Sequence, residues 1–458
     1  MQKEETDAIN LTLRFGEGKY YWINTFGCQM NEHDSEVMAA LIESLGFQPA
    51  STLEEANLVI INTCAVRKKP EDKVASMLGK LDALKKEKDE LIIAVGGCMT
   101  QQEDLAVYIK KRFNQVDLVF GTHALPRLPE LLDRARRQKE IILDIKEDYC
   151  EREGLPVNRA TSYHAWLPII YGCNNYCAYC VVPFVRGRER SREYDAIVVE
   201  ASALVHQGYR EITLLGQNVN SYGQDLPEKP GFASLLGKLD QIDGLSRIRF
   251  MTSHPKDLSL ELIQTVARGE KICEHFHLPA QSGSNRILEK MNRRYSREQY
   301  LELVQAIKEN IPEVSITSDI IVGFPGERED DFAATLDLVK QARFDSAFAF
   351  IYSPRRGTKA EKLPDYTTYE EKEKRLQALN KIQQQISLEE NEKLVNKTLE
   401  VLVEGTSKSN PELQTGRLRN NKLVHFVGSD RLTGKLIGVR ITEARTWNLF
   451  GASEGEPY

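Results

Sequence analysis

The chain has 458 residues, 41% hydrophobic and 28% charged, with a formal net charge of −6. Single cores rarely grow beyond about 250–300 residues, so two or three domains are expected. No apolar run approaches the ~18–20 residues that cross a bilayer, and Met1–Glu17 lacks the basic start and apolar core of a secretory signal. A cytoplasmic protein with reduced thiols is expected. The acidic balance argues against a surface coated in nucleic acid and leaves room for a local basic groove.

The first segment, 19–147, alternates strands with helices. Tyr20–Thr25, Asn57–Asn62, Leu91–Val95 and Asp117–Phe120 read as strands, and Asn31–Leu45 as an amphipathic helix closed by Gly46. Such alternation predicts βαβ units and a mostly parallel sheet. Asp144–Ala160 is charged and patternless and reads as a linker. The second segment, 162–392, offers strands at Leu167–Tyr171, Glu211–Leu215, Arg247–Met251, His275–Leu278, Ser315–Val322 and Phe344–Tyr352. Helical patterns such as Asp195–Gln207 and Arg328–Gln341 separate most of them. A full eightfold barrel takes about 250 residues, so the roughly 200 residues from Ser162 to Lys362 predict a partial (β/α)6 barrel, with a charged helix, Thr368–Val395, trailing it. In 393–456 short β-rich runs (Thr398–Val403, Leu423–Val427, Leu436–Thr442) alternate with glycine turns, the pattern of a small antiparallel β-barrel. Its slight basic excess suggests RNA binding. The fold class is α/β overall.

Eight cysteines in a reducing compartment are buried apolar residues or metal ligands rather than disulfides. Cys173, Cys177 and Cys180 fall in one tight loop directly after a predicted strand, where barrel folds gather their ligands. Three thiolates on a four-iron cluster leave one iron open, and an open iron can chelate the amino and carboxylate groups of S-adenosylmethionine. Structural zinc wants four ligands, usually in two close pairs, and no second close pair exists. Plain buried cysteine suits the Asn- and Tyr-rich flanks poorly. Cys28, Cys64 and Cys98 each fall just past a strand of the first segment. In a parallel sheet those strand ends share one edge, so three distant cysteines converge. Gly27, Gly96 and Gly97 allow backbone to approach a bulky group closely; the alternative is three unrelated core cysteines. Cys150, in the linker, and Cys273, before His275-Phe-His277, have no ligand setting. His254, His275 and His277 suit either a pocket or a hydrogen-bonded structural role.

These residues resemble the radical S-adenosylmethionine superfamily, and the larger constellation resembles its methylthiotransferase branch. The strings that carry the likeness are Asn24-Thr-Phe-Gly-Cys28-Gln-Met-Asn31, Asn62-Thr-Cys64-Ala-Val-Arg67, Gly96-Gly-Cys98 and Gly216-Gln-Asn-Val-Asn220. His277-Leu-Pro-Ala-Gln-Ser-Gly-Ser284 and Asp319-Ile-Ile-Val-Gly-Phe-Pro-Gly-Glu327 follow in order, so the likeness runs from about Tyr20 to Gly451. Within the branch, Val181-Val-Pro-Phe184, Arg186-Gly-Arg-Glu-Arg-Ser191 and Thr252-Ser-His-Pro255 look like the group acting on C2 of N6-isopentenyladenosine at position 37 of tRNA. The alternatives within the branch are threonylcarbamoyladenosine in tRNA and an aspartate of a ribosomal protein.

The resemblance implies two [4Fe–4S] clusters, one on each cysteine set, and two uses of S-adenosylmethionine. It also implies the anticodon stem-loop as partner, a low-potential electron donor such as a flavodoxin or ferredoxin, and a sulfur source. Three covalently joined modules can form the site in a monomer. Gly216, Gln217 and Asn218 end a barrel strand and are candidates to hold S-adenosylmethionine, as are Asp319 and Glu327 at another strand end. An aromatic C–H bond lies beyond any acid or base whose pKa moves a few units, so cofactor chemistry is needed. Loop bases are recognised by stacking and guanidinium contacts, which makes Phe184, Arg186, Arg188 and Arg190 the candidate RNA-facing residues.

Overall fold

The computed structural model describes residues 14–65, 69–138, 140–146 and 151–454. Two compact units make up the chain. One runs to Ala160 and includes Tyr171–Asn174 and Cys180–Glu189; the other holds Thr161–Ile170, Asn175–Tyr179 and everything from Arg190 onward. Among the described residues no helix is long and apolar enough to cross a membrane.

The first unit is built on strands β1 (Tyr20–Thr25), β2 (Gln48–Pro49), β3 (Leu58–Thr63), β4 (Ile92–Gly97), β5 (Leu118–Phe120) and β6 (Ile142–Asp144). They form one sheet in the order β2-β1-β3-β4-β5-β6, parallel throughout. β3 and β4 are buried along their whole length, as continuous apolar runs covered on both faces must be. Alternate residues feed opposite cores. Leu58, Ile60 and Ala94 meet helices α1 (Gln29–Ser44) and α4 (Leu128–Arg137). Val59, Ile61, Ile93 and Val95 meet α2 (Lys69–Glu87) and α3 (Glu103–Arg112). The described part of the expected linker is no free tether. The backbone N–H groups of Asn158 and Ala160 donate to Glu36, and Arg152 is buried against Asp34. Charge there marks buried pairing, which composition does not distinguish from solvation. Cys150 lies outside the described residues.

In the second unit, β7 (His164–Pro168), β10 (Glu211–Leu215) and β11 (Arg247–Phe250) form one parallel sheet. β12 (His275–His277), β13 (Ser315–Val322) and β14 (Ser346–Ile351) form another, and an Ile248–Ile272 bridge joins the two. These are six parallel strands in chain order, the expected partial barrel. Two short strands, β8 (Ile170–Tyr171) and β9 (Arg190–Ser191), flank the cysteine loop and its helix α5 (Val182–Val185). Helices α6 (Tyr194–His206), α7 (Phe232–Asp240), α8 (Leu260–Arg268), α9 (Asn285–Lys290), α10 (Arg297–Asn310) and α11 (Glu329–Ala342) follow. Side-chain caps start several of them, including a Ser296/Gln299 capping box. The long α12 (Tyr369–Glu392) opens with another, Thr368/Glu371.

β15 (Thr398–Thr406), β16 (Leu413–Leu418), β17 (Leu423–Val427), β18 (Leu436–Ala444) and β19 (Leu449–Glu454) close a barrel in the order β15-β16-β17-β19-β18. Only the β17–β19 pair is parallel. This barrel sits at the foot of the central strands. Arg247, fully buried, donates to the Glu400 carboxylate and to the carbonyls of Glu400 and Arg417. Arg249 donates to the Leu418 and Arg419 carbonyls and to Glu211. Tyr163, Glu274, Glu313 and Asp345, each at or just before a strand start, bond to Glu404, Arg419, Lys397 and Lys422.

Candidate active site

The amino-terminal cysteines meet where the sheet reverses its winding. β1 and β3 are neighbours from which the chain winds in opposite directions, the place where open α/β sheets bind ligands beyond their strand ends. Cys28 follows β1 and is the N-cap of α1, Cys64 follows β3, and Cys98 follows β4. The Cys98 N–H donates to the Thr63 carbonyl at 2.9 Å, tying one cysteine loop to the next. Gly97 makes this possible. Its φ is +103°, and a Cβ there would stand 2.5 Å from the Asn62 Oδ1 and the Thr63 carbonyl.

Asn31 is the hub. Its Nδ2 donates to the Phe26 and Thr63 carbonyls, each at 2.9 Å, which fixes its Oδ1 among the thiols. The Cys98 and Cys28 sulfurs lie 3.7 and 3.9 Å from that oxygen. Burial pushes the Cys98 thiol up to about 12, against the pull of Arg186. Cys98 is therefore a neutral thiol at neutral pH until a metal displaces its proton. Among the described residues no three Cys, His, Asp or Glu side chains stand in a preassembled metal-binding group. The chemistry of the donor set nonetheless fits an iron–sulfur group: three thiols, with glycine backbone on one side.

Arg186 belongs here. It was expected to face RNA, yet it is buried in the first unit: Nε donates to the Cys98 sulfur at 3.2 Å, and Nη2 to the Asn31 Oδ1 at 2.7 Å and to Asp34 at 2.8 Å. Asp34, from α1, gives this buried guanidinium a carboxylate partner. Of the other candidate RNA-facing residues, Phe184 is 54% exposed and Arg188 is exposed, while Arg190 is half-buried.

In the central loop Cys177 is buried and Cys173 and Cys180 are half-buried. Tyr176 takes a left-handed φ of +48°. Gly172, at φ +77°, would press a Cβ to within 2.1 Å of the Arg188 carbonyl. Sequence reasoning missed Arg293. It is buried, with Nη1 3.4 Å from the Cys177 sulfur, Nη2 on the Pro279 carbonyl at 2.7 Å and Nε on the Tyr295 hydroxyl. No local signal marks it, since it follows a short helix over a hundred positions from Cys177.

The strand-end candidates divide. Gly216 and Gln217, after β10, are half-buried. Asn218 is buried and occupied: Nδ2 donates to Asp257 at 2.7 Å, and Oδ1 accepts from the His254 N–H. Asp319 is half-buried, 3.6 Å from His277 Nε2. Glu327, expected to face the cofactor, accepts from the Gly323 N–H and from Arg375 through one carboxylate oxygen and so braces the loop after β13. The Thr317 hydroxyl bonds both His275 and His277 at 3.0 Å. Burial and then Arg293 hold His254 down to about 2, so it is neutral. Cys273 is a core residue, its thiol raised by burial.

Comparison with known proteins follows this layout. Uncharacterized protein family UPF0004 matches residues 20–121, the Radical SAM superfamily 167–339 and the TRAM domain 392–452. That order defines the class: a radical S-adenosylmethionine enzyme with a UPF0004 domain in front and a TRAM domain behind. The tRNA-2-methylthio-N(6)-dimethylallyladenosine synthase of Natranaerobius thermophilus is 51% identical over 439 residues, 96% of this chain and 97% of that protein. The synthase of the same name from Alkaliphilus oremlandii is 52% identical over 452 residues, 98% of this chain and 96% of that one. The chain belongs to the family of tRNA-2-methylthio-N(6)-dimethylallyladenosine synthases. Among solved structures, the radical S-adenosylmethionine methyltransferase TsrM of Kitasatospora setae shares the fold at a TM-score of 0.56 and 15% identity, over 75% of this chain and 77% of that one.

Proposed function

We propose that this chain methylthiolates C2 of N6-isopentenyladenosine at position 37 of tRNA, with Cys173, Cys177 and Cys180 holding one [4Fe–4S] cluster and Cys28, Cys64 and Cys98 a second. The observation that carries the reading is half-identity to the dimethylallyladenosine synthases along nearly the whole of both chains. When bound, the clusters and S-adenosylmethionine supply the one-electron and sulfur chemistry that replaces the C2 hydrogen with a methylthio group.

The protein's part is position and charge. The central loop presents its three thiols with Arg293 donating to one of them. Gly216 and Gln217, at the end of β10, and Asp319, on β13, are the remaining candidates for S-adenosylmethionine. The amino-terminal thiols are gathered by the sheet edge and Asn31. Phe184 stacks on a loop base and Arg188 binds phosphate. The TRAM domain adds RNA contact. A low-potential electron donor and a sulfur source complete the partners, and the chain acts as a cytoplasmic monomer.

Nucleoside mass spectrometry of tRNA from cells with and without the gene tests this. Loss of the 2-methylthio nucleoside, with its isopentenyl precursor accumulating, is expected. Persistence of the product after deletion, or loss only of a threonylcarbamoyl derivative, overturns the assignment.

A further inference from the structure

We propose that Arg186 sets the reduction potential of the group held by Cys28, Cys64 and Cys98, acting as a positioning residue with Asp34 as its counterweight. The proposal rests on the reading that those three cysteines hold an iron–sulfur cluster.

Three observations carry it. The first is aim: the Arg186 Nε–H points at the Cys98 sulfur at 3.2 Å, while Asn31 and Asp34 hold the other edge of the guanidinium. The second is charge. Asp34 is shared with Arg152, whose Nη1 donates to it at 2.9 Å and whose Nη2 bonds the Thr122 carbonyl. Two buried guanidiniums thus share one carboxylate beside three thiols that turn negative when they ligate metal. The third is immobility. Val181 and Val185 pack with Ala65 and Cys98, and the Thr122 hydroxyl donates to the Val185 carbonyl at 2.6 Å. The backbone leading from Cys180 to Arg186 is therefore seated against the amino-terminal cysteines.

A hydrogen bond to a ligating sulfur, and a positive charge near it, stabilise the reduced and more negative cluster, so both raise its potential. A carboxylate acts in the opposite sense. The two residues therefore predict shifts of opposite sign, which a merely structural pair does not.

The test uses the full chain with Cys173, Cys177 and Cys180 all changed to alanine, reconstituted anaerobically with iron and sulfide. Its midpoint potential is followed by EPR, with iron content measured alongside. Arg186→Met is expected to lower the potential, Arg186→Lys to lower it less, and Asp34→Asn to raise it. An Arg186→Met protein with full iron and an unchanged potential overturns the proposal, as do shifts of the same sign in the arginine and aspartate variants. If Arg186→Met does not fold, Asp34→Asn decides, and a potential that fails to rise overturns it. A parent protein that takes up no iron sinks the cluster reading instead, a result distinguishable from all of these.

Discussion

Cys28, Cys64 and Cys98 arrive from three separate strands and meet only because β1, β3 and β4 lie side by side and parallel. Cys173, Cys177 and Cys180 share one loop and need only that loop's shape, with Gly172 and Tyr176 in left-handed conformations. The arginines differ too. Arg186 leans on a carboxylate, whereas Arg293 has a carbonyl, a phenol and a thiol as hydrogen-bond partners. One set is a product of tertiary structure and the other of local backbone. Each should therefore be breakable by changes that spare the other.

The largest effect separates the two by chemistry. Alanine at Cys28, Cys64 or Cys98 is expected to abolish methylthiolation while leaving reductive cleavage of S-adenosylmethionine. Alanine at Cys177 should abolish both. Paired assays of modified RNA and 5′-deoxyadenosine check this, and equal loss of cleavage in a folded amino-terminal variant would break the division of labour.

Next comes backbone. Gly97→Ala forces a side chain into a φ of +103° and against the Thr63 carbonyl. A cost of at least about 1–3 kcal/mol is expected, with iron lost from the amino-terminal set alone. Urea unfolding and iron content of the two single-set proteins measure it. Gly172→Ala is the counterpart for the central loop.

A smaller effect tests the carboxylate. Burial acts to raise the Asp34 pKa, but Arg186 and Arg152 outweigh it and hold the group below its ordinary range. A carboxylate depressed in the folded state contributes stability above its unfolded pKa of about 3.9, lost as pH falls through the folded value. Asp34→Asn should lower the melting temperature at neutral pH and flatten its fall below about pH 4. A parallel curve for variant and parent would show that Asp34 carries no such linkage. The smallest effect is on the loop's exposed side. Arg188→Ala should reduce the log–log salt slope of RNA binding by roughly 0.7, one phosphate's share on a single strand.

How much of this was readable beforehand follows the same divide. The partial barrel was legible because strands such as Glu211–Leu215 and Ser315–Val322 are distinct β-rich runs between helical patterns. Convergence of the amino-terminal cysteines followed from strand ends alone. β2, with two residues, and β16 and β19, whose apolar residues are diluted by Gly, Gln, Arg and Ser, carried too weak a pattern. Arg186 was misread because a basic run looks solvated; its partner Asp34 lies 152 positions away. The bracing role of Glu327 was not legible because a carboxylate at a strand end suits a ligand as well as a loop brace.

The seat of the small barrel has a consequence for synthesis. The fully buried Arg247 bonds to Glu400 and to the Arg417 carbonyl, groups that leave the ribosome long after the central strands do. Until then the foot of the six-stranded barrel is an unfinished surface, where Arg247 has Glu211 of β10 at 3.9 Å but not yet the groups of the small barrel. The central domain is thus expected to reach its full stability only when the last module is translated. A premature stop after α12 should yield a protein that degrades, beyond any loss of RNA contact.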